Sequence, residues 1–511
     1  MKRIGIDVGG TNTDAVLIDG DNILAAIKTP TTDDVMSGVV SVLKQVTSGY
    51  DGRIDAVMIG TTHFTNAVVE RARLEQIAVM RIAMPSSGSL PPGSDWPADL
   101  LDVIQPMSFM IEGGHDFDGR ALVPLDRKAI AEAAARIRDA GIRSIAINAL
   151  FSPLTSECED VAAEIIRGVI PDARITLSNR LGRIGLLERE NVAMLNAALQ
   201  DCGERTVGAF KNALADVGVK APFYLTQNDG TVVLADVAAA NPVYSFASGP
   251  TNSMRGAAFL TGLQNAMVVD VGGTTTDIGC LVDGFPREAN NIVTVGGVRT
   301  LFRMPDLLPI GLGGGTIVDR DTGKVGPKSV GYRITREALV FGGQTLTATD
   351  LAVAAGRIDI GDASLVKGLD KDMVKRLLAR TETMVEDNVD RMKVASGDIE
   401  VIAVGGGAFL IPDKIRGVAK VHRVEHAGVA NALGAAMAQI SGEVDQVFSD
   451  TDRDSAIAEA GVIASQRAVE AGARPETIKT IEIEDLPLAY MKGNSRRVRV
   501  RVVGDIEHPT V

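Results

Sequence analysis

The chain has 511 residues, of which 45% are hydrophobic, 23% charged and only 4% aromatic, and its formal net charge is −13. That describes a globular protein of roughly three domains at ~150 residues each, with an aliphatic core and no Lys/Arg run of the kind nucleic-acid binding requires. Cys158, Cys202 and Cys280 fit neither a disulfide framework nor a paired metal site, and no apolar stretch reaches the ~18 residues of a membrane span. A cytoplasmic protein without a signal peptide, with neither nucleic acid nor membrane as partner, is expected.

In chain order, the apolar run Ile4–Ile6 enters Asp7-Val-Gly-Gly-Thr-Asn-Thr-Asp14 and leaves through a second apolar run to Asp19-Gly20. This reads as strand, Gly-Gly turn, strand, with a tip expected at positive φ. Asp33–Thr47 carries apolar residues at helical spacing, and Asp55–Gly60 is a short buried strand. Thr61-Thr-His-Phe-Thr-Asn66 follows, then a helix to Arg73 and a strand at Gln76–Ile82. The Ser-, Pro- and Gly-rich segment 85–97 predicts a mobile loop. Helices at Asp126–Ala140 and Thr155–Val169 alternate with strands at Ser144–Leu150 and Ile175–Leu177, which means an α/β fold with a largely parallel sheet.

Glu188–Val217 predicts one or two helices, and the strand Phe223–Thr226 ends at Gln227-Asn-Asp-Gly230. The first motif then recurs as Asp270-Val-Gly-Gly-Thr-Thr-Thr-Asp277, emerging from Met267–Val269 and ending at Asp283-Gly284. Gly311-Leu-Gly-Gly-Gly315, a strand at Glu400–Val404 running into Gly405-Gly-Gly407, and a small-residue helix at Ala427–Ile440 follow. A helix near Ala456–Ala471 and strands at Ile478–Ile483 and Arg497–Val503 complete the chain. In Arg496-Arg497-Val498-Arg499-Val500-Arg501 the alternation predicts a strand with one solvated basic face. Soft boundaries divide the chain into 1–190, 191–444 and a small appendage at 445–511.

A glycine tip lets backbone N–H groups approach an anion, and threonine hydroxyls add donors. Aspartates at strand ends suit a hydrated Mg²⁺, which favours one or two carboxylates plus phosphate oxygens. Two near-identical copies half a chain apart imply duplicated domains facing one ligand. Gly405–Gly407 is either a tight turn or a third place where backbone meets that ligand, and Gly313 and Gly314 carry the same ambiguity. His115-Asp116 reads as a loop pair rather than a metal pair. His422 and His426 have helical ligand spacing but lie in a strand and loop, so they share no face.

The arrangement resembles the actin, Hsp70 and sugar-kinase superfamily, which implies two ribonuclease-H-like domains around a cleft that holds ATP and Mg²⁺. That resemblance makes Gly9, Gly10, Thr11, Asn12 and Thr13 the first phosphate loop, Gly272, Gly273, Thr274 and Thr275 the second, and Gly405, Gly406 and Gly407 the adenosine contact. It places Mg²⁺ on Asp7 and Asp270, while Asp14 and Asp277 either orient the acceptor or brace the hairpins. More narrowly, the hydantoinase/oxoprolinase family resembles this chain at Gly5–Asp14, Gly60–Ala67 with Glu70-Arg71, Asp118-Gly119, Pro124–Asp126, Glu188–Glu190, Leu195–Ala197, Gln227–Gly230, Ser248–Pro250 and Asp270–Asp277. Asn12 replaces the family's usual aromatic residue, Asp229 stands where glycine is common, and the part after residue 440 is shorter than in the usual subunit. The resemblance implies an ATP-dependent hydrolase acting on a small cyclic amide such as a hydantoin, 5-oxoproline or another lactam, working with a second subunit. It suggests Thr61, Thr62, His63 and Asn66 as substrate contacts, with Asn228 and Asp229 opposite. A small-molecule kinase and a reactivating, chaperone-like ATPase are the alternatives, and self-association is left open.

Overall fold

Each Asp-Val-Gly-Gly-Thr segment joins strands that are apolar on both faces, so each hairpin belongs inside a covered sheet. A computed structural model, describing residues 1–10, 12–30, 35–50, 52–289, 292–394, 397–489 and 493–507, places them there. The first hairpin, β1 (Lys2–Val8) and β2 (Asn12–Asp19), is flanked by β3 (Asn22–Pro30) on one side and β4 (Ala56–Thr61) on the other. β1, β2 and β3 are antiparallel, while β4 and then β5 (Phe223–Thr226) continue parallel to β1. The second hairpin, β7 (Ala266–Val271) and β8 (Thr276–Val282), repeats this plan, with β9 (Ile399–Val404) and β10 (Val418–Arg423) running parallel to β7. The two sheets therefore share the order and direction expected of two ribonuclease-H-like units.

The first sheet is larger than the sequence suggested. β6 (Val232–Leu234) carries it on to β11 (Ile440–Phe448), β13 (Arg496–Gly504) and the edge strand β12 (Lys479–Pro487), making nine strands. Residues 445–511 are thus no appendage, and the bounds 1–190 and 191–444 cut across sheets, because strand membership is decided by pairing between segments remote in sequence. The helix α4 (Arg453–Glu470) covers this extension with a stripe of Ala456, Ala460, Ala464 and Ala468, all buried. Strands Ile77–Met84, Met107–Glu112, Ser144–Ala149 and Arg174–Leu177 form a separate, fully parallel four-stranded sheet inserted into the first unit. The segment 85–97 is anchored rather than free: Trp96 is buried and donates through Nε1 to Asn191 Oδ1 at 2.7 Å. Asn191 sits on α1 (Leu186–Asp216), one continuous helix where the sequence allowed two.

The arginine face of β13 is also not solvated. Arg496, Arg499 and Arg501 are buried, and Arg499 binds Glu288 at 2.9 Å, Glu443 at 2.7 Å and Glu482 at 3.2 Å. Glu288 belongs to an arm, residues 287–289 and 292–306, that leaves the second sheet and embeds Val295, Val298, Phe302 and Met304 in the core of the first unit. Alternation gives the period of a strand but not what covers its faces.

Two helices cross beneath both hairpins: α2 (Ser248–Thr261), leading into the second sheet, and α3 (Ala430–Met437), returning to the first. They touch backbone to backbone. A Cβ on Gly256 would strike the Ala430 carbonyl, one on Gly434 would strike the Asn252 carbonyl, and one on Gly5 of β1 would strike the Ala432 carbonyl. Gly256→Ala should cost about 1–3 kcal/mol or more, because the blocking atoms are backbone. Gly461→Ala on α4, where nothing lies within 4 Å of the added methyl, should instead gain about 0.4–1 kcal/mol. Urea denaturation of both variants checks the contrast, and equal effects would refute the close crossing.

Candidate functional site

The two hairpins have the same internal register. Asp7 lies opposite Asp14 and Val8 opposite Thr13, as Asp270 lies opposite Asp277 and Val271 opposite Thr276. Each turn is closed by one bond of the same kind, Gly9 N–H to Asn12 O at 3.1 Å and Gly272 N–H to Thr275 O at 2.9 Å. Gly9, Gly10, Gly272 and Gly273 do not adopt the positive φ expected of them. Their use is steric: a Cβ on Gly9 would sit 3.1 Å from the Asn12 carbonyl, while one on Gly10 would meet nothing within 4 Å. The first tip is therefore open at Gly10, and Thr274 and Thr275 are exposed on the second. Thr11 lies outside the described residues.

Asp7 and Asp270 are each flanked by a glycine at the end of the parallel strand beside them. A Cβ on Gly60 would approach Asp7 Oδ1 to 2.8 Å, and one on Gly405, at φ +86°, would strike Asp270 Oδ1. Gly405 and Gly407 are fixed by N–H donation to Ala427 O at 3.0 Å and Val271 O at 2.7 Å. The Gly311–Gly315 loop lies against the second hairpin. Its Gly314 and Gly315 N–H groups donate to Gly272 O at 3.0 Å and Gly273 O at 2.7 Å. The Gly313 N–H donates to Thr316 Oγ1 at 2.7 Å, so these donors brace the hairpin and are not free for a ligand.

The four carboxylates converge. Burial, then the charge of Asp14, with Asp270 adding to it, raises the Asp7 carboxyl to about 7, against Asn431 and Lys28. Burial and the charge of Asp270 raise Asp277 to about 7 as well. Burial also pushes up Asp14, opposed by Lys28, and Asp270, opposed by Ser253 and Lys28. Asn431 Nδ2 donates to Asp7 Oδ2 at 3.3 Å, and Lys28 Nζ donates to Asp14 Oδ1 and Oδ2 at 3.0 and 2.8 Å. The site thus carries more negative charge than its one named ammonium balances, a surplus suited to a cation. Among the described residues no group of three His, Cys, Asp or Glu side chains is placed to hold a metal by itself. An ion bound here would complete its shell with water or ligand oxygens, as Mg²⁺ does.

Thr61, Thr62, His63 and Asn66 lie together where β4 passes into a short helix, beside the first hairpin. Thr61 is buried, its N–H donates to Ser248 Oγ at 3.2 Å, and its hydroxyl meets His63 Nδ1. Asn66 Nδ2 donates to Thr62 Oγ1 at 3.4 Å. Burial and then Arg73 depress His63 to about 4, leaving a neutral imidazole edge-on to Phe210. Asn228 and Asp229 are placed otherwise than expected. Asn228 donates to Val243 O at 2.9 Å and Arg303 O at 3.2 Å and accepts from the Ala247 N–H at 2.8 Å. Burial would raise the Asp229 carboxyl, but Arg303 and Arg501 hold it well below the usual range. Both side chains tie the arm to the first sheet, so they are not set to face a substrate.

The sequence reading missed Lys28, Gly60, Asn252, Ser253 and Asn431. Lys28 had a signal: it stands opposite Asp14 in the β2–β3 register, one strand beyond the motif. Asn431 and the α2 pair had none, since only the crossing of α2 and α3 brings them to the hairpins.

Comparison with known proteins agrees with this geometry. Residues 3–170 match the model of the hydantoinase/oxoprolinase N-terminal region, and residues 189–404 match that of hydantoinase/oxoprolinase. The chain is 27% identical over 403 residues to the acetophenone carboxylase gamma subunit of Aromatoleum aromaticum, covering 70% of this chain and 54% of that protein. It is 26% identical over 395 residues to the caprolactamase subunit alpha of Pseudomonas jessenii, covering 72% and 56%. It therefore spans about half the length of the relatives it matches. Its fold is that of the ATP-dependent caprolactamase from Pseudomonas jessenii (TM-score 0.72, 19% identity, 100% of this chain and 88% of that one). It is equally that of nucleotide-free acetone carboxylase (TM-score 0.69, 17% identity, 100% and 89%). The chain belongs to the hydantoinase/oxoprolinase family.

The raised carboxyls fix a pH dependence. Folded Asp7 and Asp277 keep protons to about pH 7, whereas an aspartate at its ordinary value of 3.8 has lost its own far below that. The stability this confers is complete below pH ~4 and is lost as pH rises through about 7. Without ligand, Asp7→Asn should melt higher than the unmodified chain at pH 8, with the advantage shrinking toward pH 4. Parallel melting profiles across that range would contradict the burial of Asp7.

Proposed function

We propose that this member of the hydantoinase/oxoprolinase family binds ATP with Mg²⁺ between its two hairpins and uses phosphoryl transfer to activate a cyclic amide for ring opening. The observation that carries this reading is the gathering of four carboxylates at the stems of two glycine hairpins, with charge left over for a cation. The ATP dependence named for acetone carboxylase and caprolactamase supports it. A lactam carbonyl is a poor electrophile. A phosphate taken from ATP onto its oxygen activates the carbon for addition of water, after which the C–N bond breaks with the amine leaving. A second water hydrolyses the resulting acyl phosphate to carboxylate and phosphate. Such transfer asks little covalent chemistry of the protein and much positioning and charge stabilisation.

In this reading the turn N–H groups and the exposed Thr274 and Thr275 hydroxyls meet the phosphates, and Asp7 and Asp270 hold Mg²⁺ directly or through water. Mg²⁺ supplies the positive charge that lets these carboxyls stay ionised at neutral pH. Gly60 and Gly405 leave the carboxylates room, and Asn431 orients Asp7. Asp14 and Asp277 brace the hairpin stems or orient the acceptor, and Gly406 faces the adenosine side. The cyclic amide, whether hydantoin, 5-oxoproline or another lactam, would sit near Thr62, His63 and Asn66, where the neutral imidazole can donate or accept. The gamma and alpha designations of the relatives support a second subunit here. All three cysteines are free and buried, and no helix among the described residues is long and apolar enough to cross a membrane, which suits a cytoplasmic enzyme.

Gly10→Val should abolish ATP binding while leaving the fold intact, because the added side chain enters the open outer side of the tip. Gly272→Val should also weaken ATP binding, but by crowding the second turn, where the added Cβ would sit 3.3 Å from the Thr275 carbonyl. Unchanged affinities of both variants in calorimetry would rule this site out.

With ATP, Mg²⁺ and a panel of lactams and hydantoins, the purified chain should release ADP slowly and open no ring until a partner subunit is added. ADP and ring-opened product are followed separately. Stoichiometric ring opening by this chain alone would remove the partner requirement, and accumulation of a phosphate ester of a hydroxylated compound added beside the panel would make it a kinase.

A further inference from the structure

Lys28 lies outside every glycine motif, yet it joins the two halves of the cleft. It sits on β3, the edge strand beside the first hairpin, and its ammonium spends all three hydrogens on Asp14 Oδ1 at 3.0 Å, Asp14 Oδ2 at 2.8 Å and Gly428 O at 2.9 Å. Gly428 lies in the short turn Ala427–Val429, and the neighbouring Ala427 carbonyl accepts the Gly405 N–H at 3.0 Å. The Lys28 Cε lies 3.8 Å from where a Gly406 Cβ would be. One cation therefore spans the stem of the first hairpin and the glycine turn of the second unit, and its charge acts on Asp7, Asp14 and Asp270 together.

Its side chain is 35% exposed while Asp14 is 8% exposed, so the lysine lies on the solvent side of a buried anchor. A polyphosphate entering between the hairpins would bring its own oxygens to that side. The Gly428 carbonyl is a neutral acceptor, and a phosphate oxygen is a charged one, with roughly twice the hydrogen-bond strength. A lysine suits such an exchange, because it is a compact charge on a flexible stem and can turn one hydrogen without releasing the others.

We propose that Lys28 is a nucleotide-binding residue, anchored by Asp14, that exchanges the Gly428 carbonyl for a phosphate oxygen when ATP enters the cleft. The exchange makes Lys28 the link through which bound phosphate reaches both sheets. This rests on the nucleotide-clamp reading above. The test measures binding of a non-hydrolysable ATP analogue with Mg²⁺ to the full chain and to K28Q and K28R, by calorimetry over a range of KCl concentrations. K28Q should bind roughly 10- to 100-fold more weakly, as loss of a charge-assisted hydrogen bond implies. Its affinity should also depend less on salt, because one ionic contact has gone. K28R should recover part of both. Absence of binding by the unmodified chain would remove the clamp reading and this proposal with it. Normal binding by the unmodified chain and equal affinity of K28Q would overturn Lys28 alone. A K28Q affinity loss that runs parallel to the unmodified chain at every salt concentration, together with a lowered melting temperature, would assign Lys28 to the scaffold and overturn the proposal as well.

Discussion

The contact on which the rest of the molecule depends is the backbone-to-backbone crossing of α2 and α3, with β1 pressed against the same helix. Gly5, Gly256 and Gly434 make it possible, since each approaches a carbonyl that a methyl group would strike. The crossing fixes how the two sheets face one another. It also delivers the polar residues of the cleft: Asn252 and Ser253 ride on α2, and Asn431 on α3 reaches Asp7. Interiors pack at the density of organic crystals, so displacement at such a joint is transmitted rather than absorbed.

A second joint lies where the arm, residues 287–289 and 292–306, enters the core of the first unit. The acids there differ in kind from those of the cleft. Asp229 and Glu288 are surrounded by Arg303, Arg499 and Arg501, which hold both carboxyls low despite burial. Among the described residues Asp7 and Asp277 have no guanidinium partner, and burial with a like charge holds them high. Removing one member of the paired cluster would strand a buried charge, which is costly. The cleft acids are already in that position. Arginine compensates the acids that join the arm to the first sheet, whereas burial and like charge raise those at the hairpin stems.

Much of this was legible in the chain itself. The repeated motif gave both hairpins and the likeness of the two units, because an apolar run on either side of a glycine turn is a local property, although the tips do not adopt the positive φ expected of them. Helix positions such as 127–139 followed from periodicity and from Asp126, whose side chain caps the helix by accepting the Ala129 N–H at 2.9 Å. The reading went astray wherever a residue's partner lay far along the chain. The arginines of β13 look solvated until Glu288, more than two hundred positions earlier, is brought against them. Asp229 looks like a cleft residue until Arg303 and Arg501 enclose it, and the last strands look like an appendage until β11 pairs with β6.

The sequence by itself determined the two hairpins, their glycine tips and the four aspartates at their stems, since each of these is written in a run of eight residues. Only the tertiary structure decided that the hairpins share one cleft, that Lys28 and Asn431 serve their carboxylates, and that the Gly311–Gly315 loop braces a hairpin. Those facts depend on pairings and crossings between segments hundreds of residues apart, such as Asn431 with Asp7 and Lys28 with Gly428. No local pattern encodes them, because burial and charge compensation are properties of what surrounds a side chain rather than of its neighbours in the chain.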